Sequence, residues 1–273
     1  MREGSREWLD RPMLKALAKG KLRGKLLACF AACLLPMLLP WAMRLVPSNI
    51  GVTYFLLADL YIVGVSVPMT ALSFVAAIFV TDVMQVRLAG YFLALREGEE
   101  KPASPLTVCD CFGADYWPNM RAMLLRTAYI CAFTLPFAAA CLLAPGAVTR
   151  ETVQGLDCLR LNPPPVLLLL TMAAYLYAFL TSMMTRYIMA DDPGASAREA
   201  LRRSRRLIRG RFWEILTLEL TFLPWMLITS TTFLPALYVY PYMEATFAEY
   251  YREMTAPAPH HLDGGPEDED AAR

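Results

Sequence analysis

Histidine and charged residues are scarce in this sequence. Of its 273 residues, 19% are charged and two are His, both near the carboxyl end at His260 and His261. A soluble domain carries about 25% charged residues, so the deficit indicates a chain that is surrounded largely by lipid. The sequence also lacks the material for a His-based catalyst or a His-containing zinc site. We therefore expect a protein that is not an enzyme and needs no cofactor or metal.

Cysteines in a spacing typical of disulfide frameworks or metal sites are also missing. Cys109 and Cys111 have no second pair nearby, which makes them a weak metal site. Cysteine inside apolar sequence usually behaves as a small hydrophobic residue. Four of the seven cysteines lie in such sequence: Cys29, Cys33, Cys131 and Cys141. We expect free thiols rather than a disulfide-stabilised scaffold.

Long apolar segments make up much of the sequence. A helix of about 20 residues crosses a hydrocarbon core of roughly 30 Å. Five segments contain no Asp, Glu, Lys, Arg or His: Leu26–Met43, Ile62–Val80, Ala128–Leu143, Val166–Met184 and Leu220–Met243. They predict an all-α, polytopic bundle of transmembrane helices, with the second span at about residues 60–80.

The basic residues alternate between loops, which predicts how the chain is oriented. The first 25 residues contain eight Lys or Arg, and the segment Arg186–Arg211 contains eight Arg, whereas Ala144–Pro165 has only Arg150 and Arg160. Short basic loops remain on the cytoplasmic side of a membrane. We therefore expect a multi-pass protein of the plasma membrane with a cytoplasmic N-terminus.

The number of spans depends on the last apolar segment. The stretch Phe212–Met254, which includes this segment, contains Pro224, Pro235 and Pro241, and it fits either one tilted helix that runs into an interfacial one or a hairpin. A basic or aromatic segment leads into a span three times in the chain, which favours six spans arranged as three hairpins over the alternative of five. We predict one integral membrane domain over residues 1–254 and a disordered acidic tail over residues 255–273.

An arginine-rich amphipathic helix is the clearest local motif. Ser196 and Glu199 form a capping box at its start. Its apolar stripe comprises Ala197, Ala200, Leu201, Ser204, Leu207, Ile208 and Phe212. The candidate lipid-headgroup or partner-binding residues lie opposite: Arg198, Arg202, Arg205, Arg206 and Arg209. We expect such a helix to lie flat in the cytoplasmic interface as an elbow. Further elbows are predicted near the N-terminus and at Val86–Leu95.

Ionisable residues are expected only near the ends of the spans. Asp82 and Glu244 fall at predicted span boundaries, and Arg126 and Glu219 lie in first turns. We predict that Arg126 and Glu219 form a structural ion pair between neighbouring helices. A charge deep in a span is the usual sign of an ion pathway, so this arrangement disfavours a proton-coupled carrier.

Several spaced motifs resemble a known family. They are Ile188–Pro193, Ala200–Ser204, Gly210 with Trp213, Leu220–Phe222 with Trp225, and Pro241-Tyr242 with Tyr251. Their order is similar to that in a bacterial membrane protein family catalogued as a domain of unknown function. That family is distantly similar to the membrane domain of glycerophosphodiester phosphodiesterases. The resemblance implies a polytopic, six-helix protein and assigns no catalytic residue.

Two hypotheses for the function follow. The first is a non-enzymatic integral membrane protein that organises or handles lipid, anionic lipid above all, at the cytoplasmic leaflet. The alternative is a permease or transporter subunit for a neutral or apolar solute, because prolines in several spans could break helices around a cavity. Membrane lipids are the expected partners, together with another membrane protein or a second copy of the chain. No nucleic acid is expected.

Overall fold

The computed structural model describes residues 11–45, 52–57, 61–95, 104–153, 156–231 and 235–256. The helices are α1 (Arg11–Leu22), α2 (Leu26–Leu45), α3 (Val67–Ala76), α4 (Asp82–Ala94), α5 (Tyr116–Leu143), α6 (Pro165–Ser182), α7 (Thr185–Asp191), α8 (Ala197–Ile208), α9 (Phe212–Thr231) and α10 (Ala236–Thr255). The strands are β1 (Val52–Leu57), β2 (Tyr61–Ser66), β3 (Val148–Val153) and β4 (Leu156–Leu161). Nearly all of the predicted acidic tail lies outside the described residues.

A sharp bend joins the first two helices. The axes of α1 and α2 meet at 99°. Gly24 lies at the bend with φ of 78°, a conformation that suits glycine because it has no Cβ. Lys25 donates its backbone N–H to the carbonyl of Leu22, which closes the turn at 3.0 Å. The predicted interfacial position of α1 stays a prediction, and we call this end of the bundle the elbow end.

Among the residues that the structure describes, four helical segments are long and apolar enough to cross a membrane, and the bent α1–α2 pair makes a fifth if it forms one span. The four are Val67–Ala94, Tyr116–Leu143, Pro165–Asp191 and Phe212–Thr229. A predominantly helical bundle is thus confirmed, and its apolar helices are compatible with a membrane protein.

The second span is shifted relative to the prediction of residues 60–80. It starts at Val67 and continues through a π-helical turn, Ala77–Thr81, to Ala94. The predicted elbow at Val86–Leu95 is therefore wrong, because nearly all of that segment is the second half of α4. Val86 and Phe92 of this segment are buried in the core of the bundle. A 3-10 helix at Pro105–Phe112 occupies the connection that follows instead.

The last apolar segment does not form a single helix. The rings of Phe222 and Tyr242 are 5.7 Å apart, and the Tyr250 hydroxyl donates to Glu214 at 3.3 Å. From Tyr242 to Tyr250 along α10, the contact moves back from Phe222 to Glu214 along α9, so the two helices run antiparallel. The hairpin alternative is supported. With charged residues such as Glu249 in its second half, α10 is not among the segments apolar enough to span by composition alone.

A four-stranded sheet, in the order β2-β1-β4-β3, closes the opposite end of the bundle, which we call the sheet end. Each hairpin is antiparallel, and β1 pairs in parallel with β4, with Tyr54 opposite Cys158. The all-α prediction is incomplete at this point. The parallel pair ties the connection after α2 to the connection after α5, so that it links two helical hairpins that are distant in sequence.

Tight packing is concentrated at the elbow end. The largest fully buried side chains include Tyr187, Phe222, Phe247 and Tyr250, which lie on α7, α9 and α10. By contrast, α3 has no buried residue, and the buried residues of α6 all lie in its last turns. Apolar side chains toward the sheet end, such as Leu169, remain exposed. Lipid tails solvate such side chains well, so the helices need not bury them against each other.

Candidate functional site

Helix α8 begins where the capping box predicts. The Ser196 hydroxyl accepts a hydrogen bond from the backbone N–H of Glu199 at 3.3 Å, which satisfies one of the free donors at the helix start. Arg205 and Arg206 lie in the last turn, where the helix dipole favours positive charge. Local sequence therefore fixes the two ends of this helix.

The apolar stripe of α8 packs against the protein itself rather than against lipid. Ala200, Leu201, Ser204 and Ile208 are buried where α8 crosses α5, α6 and α7. The Ser204 hydroxyl donates to the carbonyl of Thr181 at 2.9 Å. The last carbonyls of a helix have no partner within it, so this bond completes the end of α6. The expected interfacial helix is thus a fixed part of the bundle, and its arginine face points outward.

The five predicted arginines line one cleft of about 810 Å³. They are Arg198, Arg202, Arg205, Arg206 and Arg209, and all five are exposed. Glu199 is the acidic residue in the lining. Within the described part of the chain, none of the five forms a salt bridge. The salt bridge of α8 is made by Arg203 with Asp192 at 3.0 Å. The arrangement leaves a concentrated positive charge facing one space, which we call the arginine cleft.

Aromatic rings form the opposite wall of the arginine cleft. Tyr177 of α6 and Phe212 of α9 line it, and their ring centroids are 5.9 Å apart. The Arg205 guanidinium lies over the Tyr129 ring at 5.1 Å. From Tyr129 a row of rings continues through Phe133 to Tyr177, at 4.9 and 5.8 Å between centroids. This aromatic row leads from the arginines to the exposed apolar surface of α5 and α6, so the cleft combines an anion-binding side with an apolar side.

A polar cluster in the bundle core was not foreseen from the sequence. The Arg186 guanidinium donates to Gln85 at 2.9 Å and to Glu244 at 3.0 Å. The Tyr187 hydroxyl donates to the other oxygen of Glu244 at 3.0 Å. These four residues, on α4, α7 and α10, constitute the polar cluster. Each charge has a partner, which is the arrangement that makes buried ionised groups tolerable.

The predicted ion pair of Arg126 and Glu219 is not among the salt bridges of the described residues. The Arg126 guanidinium lies 5.5 Å from the Phe179 ring, with Asp82 as its acidic neighbour. Glu219 lies instead in the electrostatic range of Arg186 and Glu244. Asp82 accepts from the Thr127 hydroxyl at 3.3 Å and is central in the span Val67–Ala94. The expectation that charges lie only near span ends is wrong here, because this span is shifted along the chain.

The two loop cysteines differ in accessibility. Both lie in the 3-10 helix Pro105–Phe112, where Cys109 is exposed and Cys111 is buried, and burial raises the pKa of the Cys111 thiol. Within the ranges that the structure describes, no group of three or more His, Cys, Asp or Glu side chains is placed to hold a metal ion.

Comparison with known proteins identifies the family of the chain. A model described as "Protein of unknown function (DUF975)" matches residues 9–258, which is nearly the whole chain. Neither a curated protein nor a solved structure matches it. The predicted likeness to the membrane domain of phosphodiesterases and the predicted bacterial origin stay predictions. The chain belongs to the DUF975 family of proteins of unknown function.

Proposed function

We propose that the chain is an integral membrane protein that binds anionic lipid at the cytoplasmic leaflet through the arginine cleft. One observation carries this proposal: five exposed arginines without carboxylate partners, among the described residues, share a cleft with Tyr177 and Phe212. Phosphate oxygens form strong hydrogen bonds with guanidinium groups. Acyl chains pack favourably against exposed rings at the membrane interface. A phospholipid meets both demands, and the protein does so without catalysing a reaction.

The proposal includes six crossings with both termini on the cytoplasmic side. Basic residues at the elbow end support this orientation, because the arginines of α8 and the lysines of α1 lie there. The antiparallel packing of α9 and α10 supports a sixth crossing. The polar second half of α10 would lie at the cytoplasmic interface, where Lys21 pairs with Glu249 at 2.5 Å.

Thiol labelling tests this topology in a cysteine-free background. An impermeant maleimide should label a variant that retains Cys109, which is exposed, only when the cytoplasmic face is open to the reagent. A Thr149→Cys variant at the sheet end should be labelled in intact cells, because Thr149 is exposed on β3. A Glu253→Cys variant should behave like the Cys109 protein. Labelling of Glu253→Cys in intact cells would instead establish an odd number of crossings.

Site-specific photo-cross-linking tests lipid binding. A benzophenone amino acid at Tyr177 should capture mainly anionic lipid from vesicles that contain equal amounts of anionic and zwitterionic phospholipid. The matched control is Tyr175, which is equally exposed at 43% but lies on another side of α6. It should capture the two lipids in proportion to their abundance, because ordinary lipid surrounds it. Mass spectrometry of the adducts provides the readout. The same lipid ratio at both positions would contradict the proposal and favour the permease alternative.

A further inference from the structure

The arginine cleft carries more positive charge than one phosphodiester neutralises. Five arginines and one glutamate line it, and the remaining lining residues are uncharged. A guanidinium group stays protonated in proteins, so the surplus is permanent. A phosphodiester brings one negative charge, which would leave most of the surplus uncompensated. Charge complementarity therefore favours a ligand with more than one phosphate group.

The spacing of the arginines leads to the same conclusion. Arg198, Arg202, Arg205 and Arg209 follow one another at helical spacing on a common stripe. At 1.5 Å per residue, the row is about 16 Å long. Neighbouring arginines one turn apart can share one phosphate through hydrogen bonds of about 2.8 Å, whereas phosphates bound at the two ends of the row would be well separated. The row is therefore long enough for two successive phosphates, one near Arg198 and Arg202 and the other near Arg205 and Arg209.

The aromatic side of the cleft identifies the ligand as a lipid rather than a soluble polyphosphate. Tyr177 lines the cleft and its ring contacts that of Phe133, and the two side chains are 43% and 38% exposed beside the apolar surface of α5 and α6. A soluble anion would leave this wall in contact with water. An acyl chain would cover it and gain about 25 cal/mol for each Å² of apolar surface that is removed from water.

We propose that the preferred ligand of the arginine cleft is a phospholipid that carries two phosphate groups in one headgroup. One phosphate binds Arg198 and Arg202, the second binds Arg205 and Arg209, and an acyl chain lies on the aromatic row. Arg206 faces the same space and adds to the positive potential. This inference rests on the proposed function, because it specifies the lipid for the same cleft.

Competition experiments by native mass spectrometry on the delipidated full chain test this inference. The probes are diphosphatidylglycerol with two phosphates, phosphatidylglycerol with one, zwitterionic phosphatidylethanolamine, and inorganic pyrophosphate. We expect one diphosphatidylglycerol per chain, bound at least about tenfold more tightly than phosphatidylglycerol, since the second phosphate adds charge-assisted hydrogen bonds. Pyrophosphate should not displace it, because pyrophosphate has no acyl chain.

Two paired variants locate the phosphates. Arg198→Gln with Arg202→Gln, or Arg205→Gln with Arg209→Gln, should each remove the preference for two phosphates while phosphatidylglycerol still binds. Equal affinity for the two anionic lipids would overturn the inference but leave lipid binding by the cleft intact. Displacement of diphosphatidylglycerol by pyrophosphate would also overturn the inference. Retention of neither anionic lipid by the wild-type chain would overturn the proposed function as well.

Discussion

Replacement of Glu244 with alanine, while Arg186 is kept, is expected to remove most of the folded protein from detergent extracts. The two side chains are only 11% and 16% exposed, and they form a salt bridge of 3.0 Å inside the bundle. The substitution leaves a buried guanidinium without its counter-charge, which typically costs about 3–5 kcal/mol. Folded proteins are stable by only about 5–15 kcal/mol, so the loss is a large part of the total. Size-exclusion chromatography and a thermal melt would measure it.

A double substitution separates charge from packing. Arg186→Met together with Glu244→Leu removes both charges at similar volume, and such replacements are often neutral or stabilising. We expect this variant to recover most of the stability lost in Glu244→Ala. Glu253→Ala provides the matched control, because Glu253 is on the same helix but exposed. It should melt like the wild type. Wild-type stability of Glu244→Ala would show that the polar cluster contributes little to the fold.

Helix α8 was the part of the site that could be predicted residue by residue. Its start, its buried stripe and its arginine face all follow from side chains within one short segment, and the periodicity of a helix relates them directly. The same reasoning could not identify the opposite wall. Tyr177 and Tyr129 come from α6 and α5, and their proximity to α8 depends on how these helices pack. Phe212 was predicted on the apolar stripe of α8, but that helix ends at Ile208 and Phe212 begins α9.

Charged residues were assigned to the span ends because hydropathy alone was used to place those ends. Hydropathy sets a boundary at the first charged residue, so the predicted span stopped before Asp82, whereas the helix continues to Ala94. Arg186 and Glu244 are 58 positions apart in sequence. A buried charge becomes tolerable through a partner that is distant in sequence, and only the tertiary structure identifies this partner.

The sheet was missed although its sequence contains the usual signals. Four of the six residues of Val148–Val153 are β-branched, and only two residues, one of them Gly155, separate it from Leu156–Leu161. This pattern is typical of a β-hairpin. The prediction concentrated on long apolar segments and treated these residues as connecting loops. The parallel pairing of β1 with β4 could not be predicted locally, because it joins strands about 100 residues apart.

The second large effect concerns lipid retention by the arginine cleft. Glutamine at Arg198, Arg202, Arg205, Arg206 and Arg209 removes five charges that face one space. Each arginine near an anionic surface contributes about 1 kcal/mol, so we expect affinity for anionic lipid to fall more than about a hundredfold. The fold should survive, because these side chains are exposed and the buried stripe of α8 is unchanged.

A matched pair of variants controls for the loss of net charge. Arg202→Gln with Arg205→Gln removes two charges from the cleft, and Arg23→Gln with Arg121→Gln removes two exposed charges elsewhere at the elbow end. Only the first pair should lower the amount of anionic lipid that the protein retains. Equal loss from both pairs would indicate that the lipid responds to the overall charge of the elbow end and not to a defined site.

Native mass spectrometry of the detergent-purified wild type beside the five-glutamine variant tests lipid binding by the arginine cleft most directly. We expect the wild type to retain anionic phospholipid and the variant to lose it, while both remain folded by size-exclusion chromatography. Equal amounts of anionic lipid on the two proteins would contradict lipid binding by the cleft. The arginines of α8 would then serve only to orient the chain in the membrane.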